Sequence, residues 1–144
     1  MADDTIGYLK LSIENENNKS ILNLTTKVIK ERKEEILNEI PVNKKERSQL
    51  KKKLKEYRYI DEMHELHIGA FIRWIKFNSD NEVSITNGAL LTDVLFEDNI
   101  QLLLKNNMNR FFKVNFNDNL IFQKITDQEK IILFAIDNFD KLKV

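Results

Sequence analysis

Six short apolar runs, regularly spaced between residues 67 and 125, constrain the fold more than any other feature of this sequence. Breaks that carry Asn, Asp or Gly separate the runs. Runs of this length with turn residues between them are typical of antiparallel strands that follow one another as a meander, curled or closed into a barrel. We therefore predict five or six strands here, from the runs HIGAFIRWIKF, EVSIT, ALLTDVLF, IQLLLK, RFFKVNF and LIFQKI.

Two details refine this β-rich segment. The first strand, over residues 68–77, is apolar on both sides, which predicts a central strand with a helix on its outer face. Asn87-Gly88, between the second and third runs, is the strongest hairpin signal in the chain, because a type I′ turn needs positive φ at both central residues. We therefore predict a tight hairpin at this position.

Helical periodicity dominates on either side of the β segment. An N-cap at Asn17 or Asn18 and a stripe of apolar residues predict a first helix that runs to Ile40 and ends before Pro41. A second helix is predicted over residues 44–57. Thr126 and Glu129 form a capping box that begins a C-terminal helix over residues 126–142. Before all of these, residues 6–13 alternate between apolar and polar positions and predict a strand.

These elements predict one α+β domain over residues 1–144. It would comprise an N-terminal strand, a helical part over 18–58 with two helices, an antiparallel β part over 67–125 and a capping C-terminal helix. The β part is expected to be a bent sheet or a small SH3-like barrel of five to six strands. The length permits a substantial core, and 42% hydrophobic with 32% charged residues is the composition of a globular protein.

The sequence also predicts a cellular setting. It has no cysteine, so no disulfide framework or thiolate metal site is expected. The start, MADDTIGYLKL, lacks the features of a signal peptide, and no window approaches the roughly 18 apolar residues of a membrane span. We therefore expect a soluble, intracellular, cytoplasmic protein with no membrane partner.

The strongest functional signal is a basic segment over residues 44–58. The chain as a whole has 23 basic and 23 acidic residues, but this segment has eight basic residues against two acidic ones. Clustered cations of this kind neutralise phosphates, so the segment is a candidate surface for DNA, RNA or a protein partner. The alternative interpretation is a solvated surface helix. The candidate residues are Lys44, Lys45, Arg47, Lys51, Lys52, Lys53, Lys55 and Arg58.

Other signals are weaker, and each has a structural explanation. Trp74 is a candidate stacking platform for a base, but its alternation with Ile72 favours the core. The spacing of His64 and His67 in HELH does not match a zincin motif. The acidic residues near Asp93 fall at a predicted turn, and three glycines cannot supply a phosphate-binding loop. We predict no catalytic residue, metal ligand, cofactor or small-molecule substrate.

Four stretches, YRYIDEMHELHIGAFIRWI, ITNGALLTDV, NNMNRFFKV and LIFQKITDQEKIIL, carry a resemblance. Over residues 55–135 the chain resembles uncharacterised proteins of large nucleocytoplasmic DNA viruses. The resemblance implies a viral protein that acts in the host cytoplasm, a viral factory or the virion, and it supplies no functional residues. The order of helices and then a small barrel is similar to Sm-like and other SH3-like barrels in fold alone, because the glycine pattern of the Sm motif is missing.

Together these observations predict a non-enzymatic interaction or assembly module that binds itself or another protein. The first alternative is sequence-independent nucleic-acid binding through residues 44–58. The second is an adaptor or inhibitor that docks on a host protein through an exposed sheet edge.

Overall fold

The computed structural model describes residues 2–77, 80 and 82–138, and within them it has helices and one antiparallel sheet. This confirms the predicted α+β class. The helices are α1 (Ala2–Glu14), α2 (Thr26–Asn38), α3 (Lys44–Lys53) and α4 (Asp127–Asp137), with 3-10 helices at Glu16–Asn23 and Met63–Glu65. The strands are β1 (Tyr57–Ile60), β2 (Phe71–Phe77), β3 (Val83–Ile85), β4 (Ala89–Phe96), β5 (Ile100–Lys105), β6 (Phe111–Asn115) and β7 (Leu120–Lys124).

The sheet is strongly curled but does not close. Its strand order is β1-β7-β2-β4-β5-β6, with β3 also paired to β2. Three strand steps separate β2 from β6, which in a flat sheet would amount to about 14 Å. The rings of Trp74 on β2 and Phe112 on β6 nevertheless lie 5.7 Å apart, because the curl brings the inner ends of their side chains together. The bent sheet is therefore confirmed, and the barrel alternative is wrong.

Two irregularities help the sheet to bend. From the pair Ile72–Ala89 to the pair Ile75–Ile85, β2 advances by three residues, whereas the β3–β4 segment opposite it advances by four. The extra residue is a bulge, so β3 and β4 lie end to end along β2. The predicted Asn87-Gly88 hairpin is wrong for this reason: the positive φ of Gly88 serves the bulge, not a tight turn. A second bulge, at Thr92, interrupts the pairing of β4 with β5.

Gly88 is the glycine that this geometry depends on. Its φ is +99°, and an added Cβ would lie 2.6 Å from Phe71 Cε1 and 2.9 Å from the carbonyl oxygen of Ile72. We expect Gly88→Ala to lower the free energy of unfolding by about 1–3 kcal/mol through backbone strain and this collision. Urea denaturation measures the change. Gly7→Ala is the control: Gly7 lies in α1 with nothing within 4 Å, so alanine should be neutral or stabilising.

The sheet has a core on each of its two faces. The inner face holds Ile72, Trp74, Leu91, Leu102 and Leu104 together with apolar residues of β1, β6 and β7. The outer face of β1, β7 and β2 is covered by α2 and α3. That cluster comprises Leu37, Ile40, Leu50, Leu54, Tyr57, Ile75 and Phe122, and none of its buried members comes from β4, β5 or β6. The predicted central strand with helices on its outer face is confirmed for β2.

The N-terminal prediction is wrong. Residues 6–13 belong to helix α1, which contacts α4, and do not form a strand. Their alternation also fits a helical period, since Leu9 and Ser12 lie three residues apart on the side that faces the molecule. Ser12 Oγ donates to the carbonyl oxygen of Tyr8, and Asn18 Nδ2 donates to that of Ser12. These contacts stabilise the helix, whereas a strand at this position would have needed a free sheet edge to pair with.

The two helices predicted before the sheet are both shorter than expected. The first is divided into the 3-10 helix Glu16–Asn23 and α2, whose N-cap is Thr25 and not Asn17 or Asn18, because the Thr25 side chain accepts from Val28 N. The second ends at Lys53, and residues 57–60 form β1, which sequence reasoning missed. Tyr-Arg-Tyr-Ile suits a buried edge strand, but only three residues, Leu54 to Glu56, separate it from α3, and they contain no glycine or proline to mark the change from helix to strand.

The capping box of α4 is confirmed: Thr126 accepts from Glu129 N, and Glu129 Oε1 accepts from Thr126 N. The end of the predicted helix, residues 139–142, lies outside the described residues. So do residues 78, 79 and 81 of the polar stretch NSDN, in which the sequence predicts a turn. Among the residues that the structure describes, no helix is both long and apolar enough to span a membrane.

Candidate functional site

A row of exposed apolar side chains crosses the uncovered outer face of the sheet. The register of β2, β4, β5 and β6 aligns Phe71, Leu90, Lys105 and Phe111 as direct neighbours. Phe71 is 40% exposed, Leu90 37% and Phe111 59%. Cross-strand neighbours of this kind present one continuous surface. We call this row, with Leu103 in the next row, the open face.

Strand β6 provides an unpaired edge beside the open face. The backbone N–H of Phe116 donates to Ile100 O, and that of Asn106 donates to Arg110 O. Because hydrogen bonds alternate along an antiparallel strand, the N–H groups of Phe112 and Val114 face β5, and those of Phe111 and Lys113 face outwards. Within the described part of the chain no strand pairs with this outer edge. An extended segment could therefore hydrogen-bond to it.

The opposite edge of the sheet is protected. Strand β1 contacts α2, and three of its four residues are buried. Natural sheets cover their edges in this way because unpaired strands invite association. Among the described elements, β6 is thus the longer of two open edges, the other being the three-residue strand β3, which pairs only with β2.

The β6 edge carries positive charge at Arg110 and Lys113, beside the acidic side chains of Glu97 and of Asp93, which lies in the same cross-strand row as Lys113. Arg110 and Lys113 are exposed, Lys105 is half-buried, and β6 itself contains no acidic residue. The Lys113 ammonium lies 2.7 Å from Glu97 Oε1, in a pair whose side chains are both half exposed. An exposed pair of this kind contributes little stability and can exchange partners. The edge is therefore suited to a segment that carries carboxylates.

A depression lies at one end of the open face. It has a volume of about 460 Å³ and is lined by Phe71, Asn87, Gly88, Leu90, Lys105, Asn106 and Asn107. The bulge at Gly88 leaves space for the Phe71 ring to form its wall. The depression can accept an apolar side chain of a bound segment, with amide groups at its rim.

The structure separates the eight predicted basic residues into exposed and structural ones. Lys44, Lys45, Lys51, Lys52, Lys53 and Lys55 are exposed. Arg47 instead donates to the carbonyl oxygens of Leu37, Ile40 and Val42, and so caps the end of α2. Arg58 is buried and pairs with Glu129 at 3.0 Å, so it is not part of the exposed surface. Sequence reasoning also missed Lys30 and Lys33 of α2, which face α3 across a groove.

The remaining weak signals do not converge on a chemical site. Trp74 is 4% exposed and belongs to the inner core, as its alternation predicted. His64 is exposed beside Glu62, and the backbone N–H of His67 donates to Gln123 Oε1. Glu97 and Asp98 occupy the β4–β5 turn, as predicted. No group of three or more His, Asp or Glu side chains among the described residues is arranged to hold a metal ion.

A cavity of about 650 Å³ lies between α2 and the segment after β1, and its lining is a mixture of polar and apolar groups. Its wall includes Arg32, whose guanidinium is 3.8 Å from Glu65. Burial raises the pKa of Tyr59 in this wall, and the nearby carboxylates of Asp61, Glu39 and Glu65 raise it further. Both effects disfavour the phenolate, so the phenol stays protonated at neutral pH.

Comparisons with known proteins find no match for this chain. No family model matches it, and neither a curated protein nor a solved structure does. The resemblance to viral proteins stays a prediction. The function must therefore be argued from the surface itself.

Proposed function

We propose that this protein is a non-enzymatic interaction module that binds an extended segment of a partner protein along the outer edge of β6. The observation that supports this most is the conjunction of that edge with the open face. Backbone groups of β6 supply the hydrogen bonds of strand addition, and the exposed apolar row supplies contact area beside them.

The chemistry of β6 defines the segment that would fit. On the outer face of the sheet, β6 carries the side chains of Phe111, Lys113 and Asn115. On the inner face it carries those of Phe112 and Val114. A bound strand would therefore place an apolar residue beside Phe111 and an acidic residue opposite Lys113. A second copy of β6 fits less well, because β6 has a lysine and no acid, so pairing with itself brings like charges together.

Selection from a displayed peptide library on the purified full-length protein tests this proposal. We expect the enriched peptides to carry an apolar residue and an acidic residue two positions apart, on the same face of the bound strand. Lys113→Pro removes an outward N–H that β5 does not use, so it should weaken binding of a labelled selected peptide by about tenfold or more. Lys113→Ala keeps the N–H, loses only an exposed charge, and should weaken binding by about fivefold or less.

The outcomes are separated by fluorescence anisotropy together with a melting curve of each variant. Equal binding by the wild type and by Lys113→Pro would contradict strand addition. If the proline variant melts early, Phe111→Asp serves instead, since it places an acid on the open face and keeps the β5 pairing. Selected peptides without acidic residues would also contradict the proposal.

This proposal combines the interaction module predicted from the sequence with its second alternative, docking through an exposed sheet edge, and takes β6 as that edge. The nucleic-acid alternative has less support. Successive residues of a helix are turned by about 100°, so the side chains of Lys51 and Lys53 point about 160° apart. The consecutive lysines of α3 therefore do not all lie on one face of the helix. A viral origin and an intracellular location remain compatible proposals.

A further inference from the structure

A groove between α2 and α3 combines an apolar floor with a cationic rim. Its volume is about 300 Å³. Ile29, Leu37 and Ile125 form the floor, together with the methylene stems of neighbouring lysines. The charged groups along it are Lys30, Lys33, Glu34, Lys51 and Lys55. The groove lies on the helical layer and does not include any residue of the open face.

Lys33 holds the groove in shape. Its ammonium donates to the carbonyl oxygens of Leu54, Lys55 and Tyr57, at 2.9, 3.3 and 3.0 Å, and so ties α2 to the end of α3. These three bonds use all of its donors. Burial lowers the pKa of Lys33, as expected for an ammonium that is partly removed from water. Lys33 is therefore a positioning residue for the two walls.

The other three lysines of the groove have no carboxylate partner. Among the described residues, ion pairs form at Lys27–Glu31, Lys113–Glu97 and Lys130–Glu56, but no carboxylate lies within 4.0 Å of Lys30, Lys51 or Lys55. Glu34 is the single acid on the lining, so the unpaired positive charge exceeds the negative charge. Ile29 and Leu37 are 5% and 0% exposed, so the accessible apolar surface of the floor comes mainly from the half-buried Ile125 and from the lysine methylene stems.

We infer that this groove binds an acidic amphipathic segment of a partner protein. The volume admits one or two side chains of leucine or phenylalanine size, which would lie on the floor. Carboxylates one helical turn away on the same segment would reach Lys30, Lys51 and Lys55. This is the helix-in-groove mode of recognition, with charge complementarity setting the choice of partner. A nucleic acid would use the lysines but not the apolar floor.

The test uses a fluorescein-labelled synthetic peptide with the repeat Glu-Leu-Leu-Glu, titrated with the full-length protein. The groove variant Lys30→Glu/Lys51→Glu/Lys55→Glu is compared with Lys44→Glu/Lys45→Glu/Lys52→Glu, which makes the same change in net charge on exposed lysines outside the groove. We expect the groove variant to raise the Kd by about tenfold or more and the control variant by about threefold or less. All six lysines are exposed, so both variants should fold.

A second peptide, with serine in place of leucine, tests the floor and should bind at least about tenfold more weakly. The inference is overturned if the two protein variants lose affinity equally, if the serine peptide binds as well as the leucine peptide, or if the wild type does not bind the peptide at millimolar concentration. Tighter binding of a single-stranded oligothymidylate, weakened equally by both variants, would also overturn it in favour of a general cationic surface.

Discussion

Replacing Arg58 with methionine is expected to lower the free energy of unfolding by about 3–5 kcal/mol, because it leaves the Glu129 carboxylate buried without a counter-charge. Arg58 is 2% exposed and Glu129 is fully buried, with 3.0 Å between Nη2 and Oε2. The same guanidinium nitrogen also donates to Ser20 Oγ and to the carbonyl oxygen of Glu65. The pair joins β1 to α4 and to the first 3-10 helix, so its loss should lower the stability of the whole domain.

Urea denaturation followed by circular dichroism measures this change. Arg58→Met/Glu129→Gln should recover much of the lost stability, since the glutamine is neutral and its oxygen can still accept from Thr126 N. Lys130→Met is the matched control: Lys130 and Glu56 are about half exposed, so their pair should contribute less than about 1 kcal/mol. A loss of less than about 1 kcal/mol in Arg58→Met would contradict the role of the buried pair.

Trp74→Ala is expected to have an effect of similar size, about 3–5 kcal/mol. The indole is buried in the inner core and contacts the Phe112 ring. Its removal therefore leaves a large cavity between β2 and β6, where the curl of the sheet brings their side chains together. Phe111→Ala is the matched control. Phe111 neighbours Phe112 but is 59% exposed, and its truncation should change stability by about 0.5 kcal/mol or less.

Trp74 is the single tryptophan of the chain, so its fluorescence reports its environment directly. We expect a blue-shifted emission that acrylamide quenches weakly, with a shift to longer wavelength on unfolding. A water-exposed emission in the folded protein, or a Trp74→Ala variant as stable as the wild type, would instead indicate a surface platform of the kind used to stack bases.

The strands after residue 70 could be predicted because each carries its own signal. Each of the six apolar runs contains one strand, from β2 to β7, and β3 lies in EVSIT. The apolar runs and the turn residues between them therefore predict where these strands lie. The capping box at Thr126 was equally local. The Asn87-Gly88 error has a different origin, since positive φ serves a bulge as well as a turn, and the choice depends on β2, which precedes it by more than ten residues.

The elements before residue 60 were harder to predict because tertiary contacts decide them. Leu9, Leu11 and Ile13 alternate as in a strand, but the α1–α4 contact selects a helix in which Leu11 and Ile13 are exposed. Strand β1 follows a basic helix without a proline or glycine, and it exists because β7 is available to pair with it.

The candidate sites could be predicted from the sequence only in part, for the same reason. Alternation within the run RFFKVNF is enough to put Lys113 and Asn115 on one face, but the identity of the edge strand follows from the whole strand order. The basic run 44–58 could be identified from the composition of that segment alone. Which of its residues are exposed depends on α2, whose Lys30 and Lys33 complete the groove, and on Glu129, which binds Arg58.

Amide hydrogen exchange along β6 tests the central claim most directly, because it reports each backbone N–H separately. In the free protein we expect slow exchange at Phe112 and Val114, which face β5, and fast exchange at Phe111 and Lys113, which face outwards. Adding the selected apolar-acidic peptide should slow the outward amides to the rate of their neighbours. Outward amides that are already protected in the free protein, or that stay fast in the complex, would contradict an open edge that binds an extended partner.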